Sequence, residues 1–311
     1  MMRLLITGGA GCLGSNIAEH ALAQGAAVLV LDNYATSFRG GLPPHPNLRE
    51  VEGSILDGCL LARLFDEFAP THVVHAAASY QDPNDWVGDL RTNAEGTARV
   101  MAECDRLGVR RLIYLQTALC YGQPLRTPIP VDHPLAPITS YSISKTAGEQ
   151  MLPLGRTPWV SLRLANIYGP RNYTGPIPIF FKRLREGKRC FATDARRDFL
   201  HMDDFLDLLD RVLDEGGAQG VFNVSSGADV SIADLFDAMV VAMGITLDEP
   251  VEVRPPAADD LATLLLDPSL TERTFGWRAR IGLKEGLRRQ VAWFDRHGVE
   301  ATFTHLTAAR G

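Results

Sequence analysis

The stretch Thr7-Gly8-Gly9-Ala10-Gly11-Cys12-Leu13-Gly14 decides the fold of this chain. It follows the apolar run Arg3–Thr7, a predicted strand, and leads into Leu13–Gln24, a predicted amphipathic helix. Glycines at positions 8, 11 and 14 allow a sharp turn and a close approach of the backbone to a pyrophosphate. The helix N-terminus then points N–H groups at the phosphates. A glycine-rich turn is also a common loop signal, so this stretch alone does not establish a dinucleotide site.

A carboxylate at the end of the second predicted strand strengthens the dinucleotide interpretation. The apolar run Ala27–Leu31 stops at Asp32, which can accept hydrogen bonds from both ribose hydroxyls and would repel a 2′-phosphate. This position favours NAD over NADP, although Arg39 is close enough in the sequence to leave NADP open. The alternative for Asp32 is an ordinary turn residue at a strand end.

Short apolar runs alternate with helical patterns through the first two thirds of the chain, which predicts a Rossmann-type doubly wound parallel sheet covered on both faces. The predicted strands are Arg3–Thr7, Ala27–Leu31, Leu48–Glu52, His72–His75, Arg111–Gln116 and Trp159–Leu164. The predicted helices between them are Leu13–Gln24, Cys59–Phe68, Thr92–Leu107 (ended by Gly108) and the one carrying Tyr141.

The pattern changes near Asn166, where proline and glycine become frequent. We expect a smaller, mostly helical C-terminal substrate domain with helices over Ile179–Gly187, Ile232–Met243 and Leu283–His297. Arg197–Asp210 and Val221–Val224 are predicted as a helix and a strand that return to the large domain. The predicted NAD-binding domain is therefore 1–165 plus about 198–224, and the predicted substrate-binding cap is about 166–197 and 225–311.

Composition excludes several classes of protein. The chain has 311 residues and a formal net charge of −6, so it has no excess of positive charge that would indicate binding to nucleic acid or an anionic membrane. No apolar run approaches the roughly 20 residues that span a bilayer. The first strand begins at Arg3, so we expect no secretory signal, and the scattered cysteines predict small buried side chains in a cytoplasmic enzyme. These cysteines are Cys12, Cys59, Cys104, Cys120 and Cys190.

Tyr141 and Lys145 stand four residues apart and so share one face of a predicted helix. A lysine beside a tyrosine favours the phenolate and can bring the tyrosine pKa towards neutral pH. Thr117 ends the fifth predicted strand, at the edge where open α/β sheets bind ligands. We predict Tyr141 as general base and acid, Lys145 as the residue that lowers its pKa and holds the ribose, and Thr117 as the residue that orients a sugar hydroxyl. The alternative for the pair is a solvated helix face.

Eight stretches together resemble the extended short-chain dehydrogenases/reductases of the nucleotide-sugar epimerase/dehydratase family, in family order over about two thirds of the chain. They are Thr7–Gly14, Leu31–Asn33, His75–Ala78, Asn93–Thr97, Thr117–Gly122, Tyr141–Lys145, Arg163–Pro170 and Arg197–Asp204. The resemblance implies cofactor contacts at Gly8, Gly11, Cys12, Leu13, Asp32, Asn33, Thr36, Ser54, Ile55, Ala76, Ala77, Ala78, Asn93, Tyr141, Lys145 and Leu164. It implies substrate contacts at Ala118, Leu119, Asn166 and Arg197, the last two on a diphosphate.

The chain departs from this family at two useful positions. Ser54 stands where many relatives have an aspartate, so a contact to adenine is in doubt. Ala257 stands where the family often has a second phosphate-binding arginine, and Arg254 is a candidate to replace it, which leaves the nucleotide open. His72 and His75 would point to opposite faces of a strand, so we expect no metal site there.

The residues after Thr117 discriminate between reactions of the family. A 4,6-dehydratase needs an acid and a base there, and Ala118 and Leu119 can serve as neither. The resemblance therefore implies an NAD-dependent nucleotide-sugar 4-epimerase in polysaccharide biosynthesis. Ketosugar reduction, epimerisation at another carbon, dehydration and a non-catalytic dinucleotide-binding role remain alternatives. The resemblance also implies a homodimer, in which the helices at 92–107 and 141–152 would form a four-helix interface with their counterparts.

Overall fold

A computed structural model of the protein describes residues 1–214, 217–255, 261–299 and 302. Its strands, numbered in chain order, are β1 (Arg3–Thr7), β2 (Ala27–Asp32), β3 (Leu48–Glu52), β4 (His72–His75), β5 (Arg111–Thr117), β6 (Trp159–Leu164), β7 (Asn166–Tyr168), β8 (Phe191–Thr193), β9 (Arg196–His201), β10 (Gly220–Val224), β11 (Asp229–Ser231), β12 (Glu252–Arg254) and β13 (Thr263–Leu264). Its α-helices are α1 (Cys12–Ala23), α2 (Gly58–Phe68), α3 (Trp86–Leu90), α4 (Gly96–Leu107), α5 (Ser140–Met151), α6 (Pro176–Arg185), α7 (Met202–Leu213), α8 (Ile232–Met243), α9 (Ser269–Phe275) and α10 (Leu283–His297).

The main sheet of the described chain has seven strands in the order β10-β6-β5-β4-β1-β2-β3. The chain moves outwards from β1 in one direction through β2 and β3, then crosses back to β4 and moves in the other direction. Neighbouring strands run parallel, as in the β1–β2 and β1–β4 pairs. This reversal brings the carboxyl ends of β1 and β4 together, the usual ligand position in such sheets. The Rossmann-type α/β fold is confirmed.

The central strands are continuously apolar because both faces of the sheet are covered. Leu4, Leu5 and Ile6 of β1 are fully buried, and so are Val73 and Val74 of β4. These strands form one side of a core that α2 and α4 complete with their buried faces. The six strands predicted in the first two thirds of the chain lie where they were expected, within one residue at their ends.

The helices next to β4 and β5 form one packed group. α3 continues through a π-helical turn at Arg91–Glu95 into α4, and Gly108 ends α4 in the left-handed conformation, as predicted. α5 packs against both α3 and the π-helical turn. Its N-terminus is fixed by a capping box, in which the Thr139 hydroxyl accepts from the Ser142 N–H at 3.2 Å. The cap places Tyr141 in the first turn of α5.

The chain divides into two compact units. The first comprises Met1–Cys120, Ala136–Arg163 and Leu206–Phe222, and the second comprises Tyr121–Leu135, Leu164–Phe205 and Asn223–Gly311. The segments 121–135 and 198–205 thus belong to the second unit, whereas the predicted boundaries assign them to the NAD-binding domain. In the second unit, α6, α8 and α10 surround an apolar core next to a small sheet of β11, β9, β13 and β7.

The prediction of a helix over Arg197–Asp210 is wrong in its first half. Residues Arg196–His201 form β9, which lies between β11 and β13 and also pairs with β7. The helix α7 begins only at Met202, with Asp203 and Asp204 in its first turn, where the helix dipole favours acidic residues. Pairing between segments distant in sequence overrides the local helical pattern here.

Two smaller expectations also need correction. α6 begins at Pro176 rather than Ile179, because prolines are well tolerated in the first turn of a helix. Only Cys104 and Cys120 are buried as predicted; Cys59 is exposed near the start of α2, while Cys12 and Cys190 are half-buried. None of the five, all of which lie in the described part of the chain, forms a disulfide. Among the described residues, no helix combines the length and hydropathy needed to cross a membrane.

Candidate active site

The glycine-rich turn between β1 and α1 is built for close backbone packing. Gly8 has φ +65°, and a Cβ there would lie 2.6 Å from the Ala77 Cα. A Cβ at Gly14 would lie 2.3 Å from the Gly8 carbonyl oxygen, whereas one at Gly11 would meet only that oxygen, at 3.3 Å. Gly11 is also the N-cap of α1, and no side chain caps this helix. The turn therefore leaves a helix N-terminus uncovered by side chains and fits a dinucleotide pyrophosphate.

The carboxylate of Asp32 is held in one position at the end of β2. Its Oδ2 accepts from the Ala10 N–H at 2.9 Å, and its Oδ1 accepts from the Tyr34 N–H at 2.8 Å and the Ser37 hydroxyl at 2.9 Å. These bonds connect the glycine-rich turn to the loop after β2. The side chain is only 8% exposed, so it presents a fixed negative charge where a ribose is predicted to bind.

The other predicted cofactor residues lie in the first unit, except Leu164, which belongs to the second. The Asn33 Oδ1 accepts from the Ala35 N–H at 3.1 Å, and the Ser54 hydroxyl accepts from the Leu56 N–H at 3.2 Å. Ile55 lies in the core, where a Cβ on Gly96 would meet its Cδ1 at 2.4 Å. Ala76, Ala77, Ala78, Leu13 and Thr36 are half-buried. Leu164 is buried at the end of β6. Their cofactor contacts stay predictions.

Thr117 and Tyr141, predicted from separate parts of the sequence, meet in the structure. Thr117 is the last residue of β5, and its hydroxyl lies near enough to the Tyr141 phenol to lower the pKa of that phenol. The Thr117 hydroxyl also accepts from the Leu119 N–H at 3.2 Å, which fixes its orientation. Tyr141 therefore stands at the carboxyl edge of the sheet with a hydroxyl beside its reactive oxygen.

Lys145 lies one turn further along α5 and is 1% exposed. Its ammonium is 3.9 Å from the centroid of the Tyr114 ring. Its backbone carbonyl accepts from the Tyr114 hydroxyl at 2.8 Å and from the Gln116 Nε2 at 3.1 Å, which ties α5 to β5. Burial lowers the pKa of Lys145 to about 7, and the negative charge of Glu149 opposes this effect. The lysine is therefore only partly charged near neutral pH.

Tyr141 does not have the lowered pKa that the sequence suggested. Burial raises the pKa of Tyr141, the neighbouring phenol of Tyr80 raises it further, and the Thr117 hydroxyl lowers it. Lys145 does not counter the increase, because its own charge is weakened by burial and its ammonium lies against Tyr114. In this state the phenol is protonated at neutral pH, so a further positive charge is needed to form the phenolate.

Asn93 links the active-site elements. Its Oδ1 accepts from the Ser79 N–H at 2.9 Å, and its Nδ2 donates to the Ser79 carbonyl at 2.9 Å and the Ser144 hydroxyl at 3.0 Å. It lies in the π-helical turn and is completely buried. One amide thus joins the loop after β4 to α5, which is consistent with the expected buttress.

Sequence reasoning missed three residues near the catalytic group. The Tyr80 ring centroid lies 6.0 Å from that of Tyr141, at an interplanar angle of 62°. Asp89 on α3 is 1% exposed, and its Oδ1 has no hydrogen-bond partner among the described residues. Glu149 accepts from Arg163 at 2.7 Å in a buried ion pair between α5 and β6. The first two belong to the segment after β4, where no periodic pattern indicates which side chains face α5.

The predicted substrate residues fall into two groups. Ala118 is buried and Leu119 half-buried, in a single turn of 3₁₀-helix directly after Thr117. Asn166 is exposed, and its Nδ2 donates to the Asp198 carbonyl at 3.0 Å. Arg197 donates to the Leu261 carbonyl at 2.7 Å, and the pairing of β7 with β9 places it on the strand beside Asn166.

The candidate second arginine is already engaged. Arg254 donates to Glu252 at 2.8 Å and stacks over the Phe191 ring. Ala257 lies outside the described residues.

The two histidines of β4 have separate structural environments. The His75 ring bonds the Thr7 hydroxyl at 2.6 Å and the Thr97 hydroxyl at 2.9 Å, and burial lowers its pKa to about 3. His72 bonds the Thr71 hydroxyl at 2.9 Å. Over the described part of the chain, no group of three or more potential metal ligands is found. His75 is therefore a neutral ring that joins β1, β4 and α4.

A glycine-rich turn, a buried carboxylate at the end of β2 and a Thr–Tyr–Lys set at the carboxyl edge of the sheet are typical of a nicotinamide-dinucleotide domain of the short-chain dehydrogenase/reductase type. A model of the NAD dependent epimerase/dehydratase family matches residues 4–225 of this chain. The chain therefore belongs to that family of NAD-dependent enzymes, and it is identified here at that level.

The chain is similar to several characterised proteins over nearly its whole length. It is 54% identical to the Bordetella bronchiseptica enzyme WbmG, crystallised in complex with NAD and UDP, with a TM-score of 0.94 and 99% of both chains covered. It is 46% identical to WbmH of the same organism, crystallised with NAD⁺, with a TM-score of 0.91 and coverage of 96% of this chain and 100% of the other. It is 32% identical over 312 residues to the UDP-glucose 4-epimerase of Mycolicibacterium smegmatis, covering 94% of this chain and 98% of the relative.

Proposed function

We propose that this protein is an NAD-dependent epimerase that inverts C4 of a UDP-sugar through a transient 4-keto sugar. The observation that carries the proposal is the surroundings of Tyr141. The Thr117 hydroxyl lies beside its phenol and lowers the pKa of that phenol, and the next two residues, Ala118 and Leu119, have no side-chain group that can donate or accept a proton. Asp89, whose negative charge acts on Tyr141, lies on α3 and not in the turn that follows Thr117. A single acid–base group suits an epimerase better than a dehydratase, which needs an additional acid and base.

The proton transfers follow from these side chains. Bound NAD would accept the hydride from C4 and return it to the opposite face of the keto carbon, and its oxidised ring would supply a positive charge that favours the Tyr141 phenolate. Tyr141 removes the proton from the C4 hydroxyl, while Thr117 donates to the same sugar oxygen and orients it. Lys145 binds the ribose beside Tyr141. The planar keto carbon then presents its other face, and Tyr141 returns the proton to the oxygen there.

The nucleotide assignment rests on similarity and on two side chains. WbmG, with which this chain shares 54% of its residues, binds UDP. Arg197 and Asn166 lie on neighbouring strands and offer a guanidinium and an amide, which are suitable donors for a diphosphate. We therefore infer that a uridine diphosphate carries the sugar. The predicted division into an NAD-binding domain and a substrate-binding cap forms part of the same proposal.

The decisive experiment incubates the purified protein with UDP-, GDP- and dTDP-sugars and identifies the products by NMR. We expect C4 epimers of a UDP-sugar, formed with no net change in absorbance at 340 nm. Consumption of added NADH would identify a ketosugar reductase, loss of water would identify a dehydratase, and either result would contradict the proposal.

The variant Tyr141→Phe tests the acid–base assignment. Because no other group can exchange the C4 hydroxyl proton, turnover should fall by about 10²–10⁴-fold. NAD binding, measured by titration calorimetry, should change less than about threefold, since the aromatic ring remains. Unaltered turnover in this variant would contradict the assignment of Tyr141 as the acid–base group.

A further inference from the structure

A second carboxylate stands beside Asp32 at the ribose end of the sheet. Glu52 is the last residue of β3 and the register partner of Asp32 in the parallel β2–β3 pair. Register partners on neighbouring strands point to the same face of a sheet. Asp32 and Glu52 therefore lie side by side at the carboxyl edge, where open α/β sheets bind the dinucleotide.

The arginine near this position is held by Glu52. The Arg39 Nη2 donates to the Glu52 Oε1 at 2.5 Å, and its Nη1 donates to the other carboxylate oxygen. The Arg39 guanidinium also lies over the Tyr34 ring, 4.5 Å from its centroid. Tyr34 is in turn fixed to Asp32 through its backbone N–H. The guanidinium is thus close to the ribose position, but two of its donors are occupied by Glu52.

A 2′-phosphate would need free N–H donors and no nearby negative charge, and this arrangement provides neither. Arginine recognises phosphate through paired N–H donors, and in Arg39 such a pair is given to Glu52. An incoming 2′-phosphate would also meet the negative charges of both Asp32 and Glu52. NAD lacks this phosphate and meets neither obstacle.

We propose that Glu52 is a coenzyme-specificity residue: it holds Arg39 away from the 2′ position and adds a second negative charge beside Asp32. Exclusion of NADP is then shared by two carboxylates on neighbouring strands. The inference concerns binding of the dinucleotide alone and is independent of the reaction proposed above.

The contributions of Asp32 and Glu52 to NADP exclusion can be separated by replacing Asp32 first and Glu52 second. With Asp32 present, its fixed carboxylate rejects the 2′-phosphate whatever Arg39 does, so the effect of Glu52 is small. Once Asp32 is replaced, Arg39 becomes the determining group, and its release from Glu52 should matter. Arg39 and Glu52 are both exposed, at 62% and 55%, and exposed ion pairs are weak, so the guanidinium can exchange partners readily.

The test measures the affinity of the purified full-length protein for NADP⁺ and NAD⁺ by titration calorimetry. The variants are Asp32→Ser, Asp32→Ser/Glu52→Gln and Asp32→Ser/Glu52→Gln/Arg39→Ala. The double variant should bind NADP⁺ about five- to tenfold more tightly than Asp32→Ser, and adding Arg39→Ala should cancel this gain. Affinity for NAD⁺ should change less than threefold along the same series.

A matched control uses another exposed ion pair. Glu67 of α2 accepts from Arg49 of β3 at 2.7 Å, and neither residue bonds Asp32, Tyr34 or Arg39 in the contacts given above. Asp32→Ser/Glu67→Gln should bind NADP⁺ as Asp32→Ser does. If Glu52→Gln gives no gain beyond this control, or if the gain survives Arg39→Ala, the proposal is wrong.

A further variant tests the proposal in case the Asp32 variants are unstable. Glu52→Lys in the otherwise intact protein replaces the competing carboxylate by a cation and leaves the Asp32 hydrogen bonds in place. It should raise NADP⁺ affinity at least threefold without changing the affinity for NAD⁺. An equal change for both dinucleotides would overturn the assignment.

Discussion

Lys145 is a positive group in a poor environment for positive charge. It is 1% exposed, and its ammonium rests on an aromatic ring instead of a carboxylate. Burial therefore lowers its pKa from 10.5 to about 7. In the unfolded chain the lysine keeps its ordinary pKa, so between about pH 7 and 10 the unfolded state binds more protons than the native state. The contribution of Lys145 to stability rises with pH through this window.

This linkage predicts how Lys145→Met changes stability. The variant loses the cost of a buried ammonium, so its free energy of unfolding should exceed that of the wild type at pH 6.5. The advantage should shrink by at least about 1 kcal/mol by pH 9, because each unit of pKa difference corresponds to about 1.4 kcal/mol. Urea unfolding at both pH values measures it. Lys284→Met, at an exposed position of α10, should show no such pH dependence.

Thr117 acts on the proton affinity of Tyr141. Its hydroxyl lowers the pKa of the phenol, against the effects of burial and of Tyr80. Thr117→Val keeps the shape but removes the hydroxyl, so the acid limb of the pH profile of kcat/KM, which reports the enzyme before the sugar binds, should move to higher pH by about 0.5–1 unit. Thr117→Ser should restore the wild-type profile. A valine variant with lower activity but an unmoved acid limb would show that Thr117 only positions the substrate.

At the scale of elements, α5 depends on how closely it approaches its neighbours. Gly148 lies inside α5, and a Cβ there would meet the Asn93 carbonyl oxygen at 2.2 Å and the Tyr114 hydroxyl at 2.9 Å. Both atoms belong to the hydrogen-bonded framework that holds Lys145 and the loop after β4. The absence of a side chain at Gly148 therefore sets the spacing between α5 and the π-helical turn.

Gly148→Ala should destabilise the protein by about 2 kcal/mol, because overpacking against backbone outweighs the higher helix propensity of alanine. Urea unfolding at pH 7.5 measures the change. Gly58→Ala is the matched control, since its Cβ would meet only the flexible end of Arg99, at 2.9 Å. It should alter stability by less than about 0.5 kcal/mol. Equal effects of the two substitutions would contradict the packing argument.

The sequence predicted those elements whose periodicity is local. The glycine-rich turn, the strand ending at Asp32 and the helix carrying Tyr141 were found because each has its own pattern of apolar and turn residues. The strand β9 was missed because its partners, β7, β11 and β13, are remote in the sequence. The same limit applies to the site: Thr117 and Tyr141 lie on regular elements, whereas Tyr80 lies on a loop whose path depends on the bonds of Asn93.

The pKa shifts and charged neighbours of the site residues were the hardest features to predict from the sequence. The spacing of Tyr141 and Lys145 correctly placed them on one helix, but the direction of the Tyr141 pKa shift depends on burial and on Tyr80. Burial depends on how α3, α5 and β5 pack together, which no short motif encodes. The same holds for Glu52, whose position beside Asp32 follows from strand register.

At the scale of the whole molecule, an exposed apolar surface on α3 and α5 requires an explanation. Trp86 and Val87 are 66% and 67% exposed, and Ile143 is 47% exposed. Leu90 and Met151 lie on the same two helices and are 49% and 37% exposed. The helices carrying these residues pack against each other, so their outer faces are adjacent. Apolar side chains grouped in this way mark interaction surfaces more often than single exposed residues do.

We propose that a second copy of the chain covers this surface in a homodimer, in which α5 and the continuous helix formed by α3, the π-helical turn and α4 pair with their counterparts. Ile143→Asp would place a charge at the centre of the contact, where burial without a partner is unfavourable. Light scattering after size exclusion should give about 68 kDa for the wild type, twice the 34.0 kDa of one chain, and about 34 kDa for the variant. Val241→Asp, at a 77% exposed position on α8, should remain dimeric. A monomeric wild type, or a dimer unaffected by Ile143→Asp, would exclude this interface, because two-fold contact places the same residue on both sides of it.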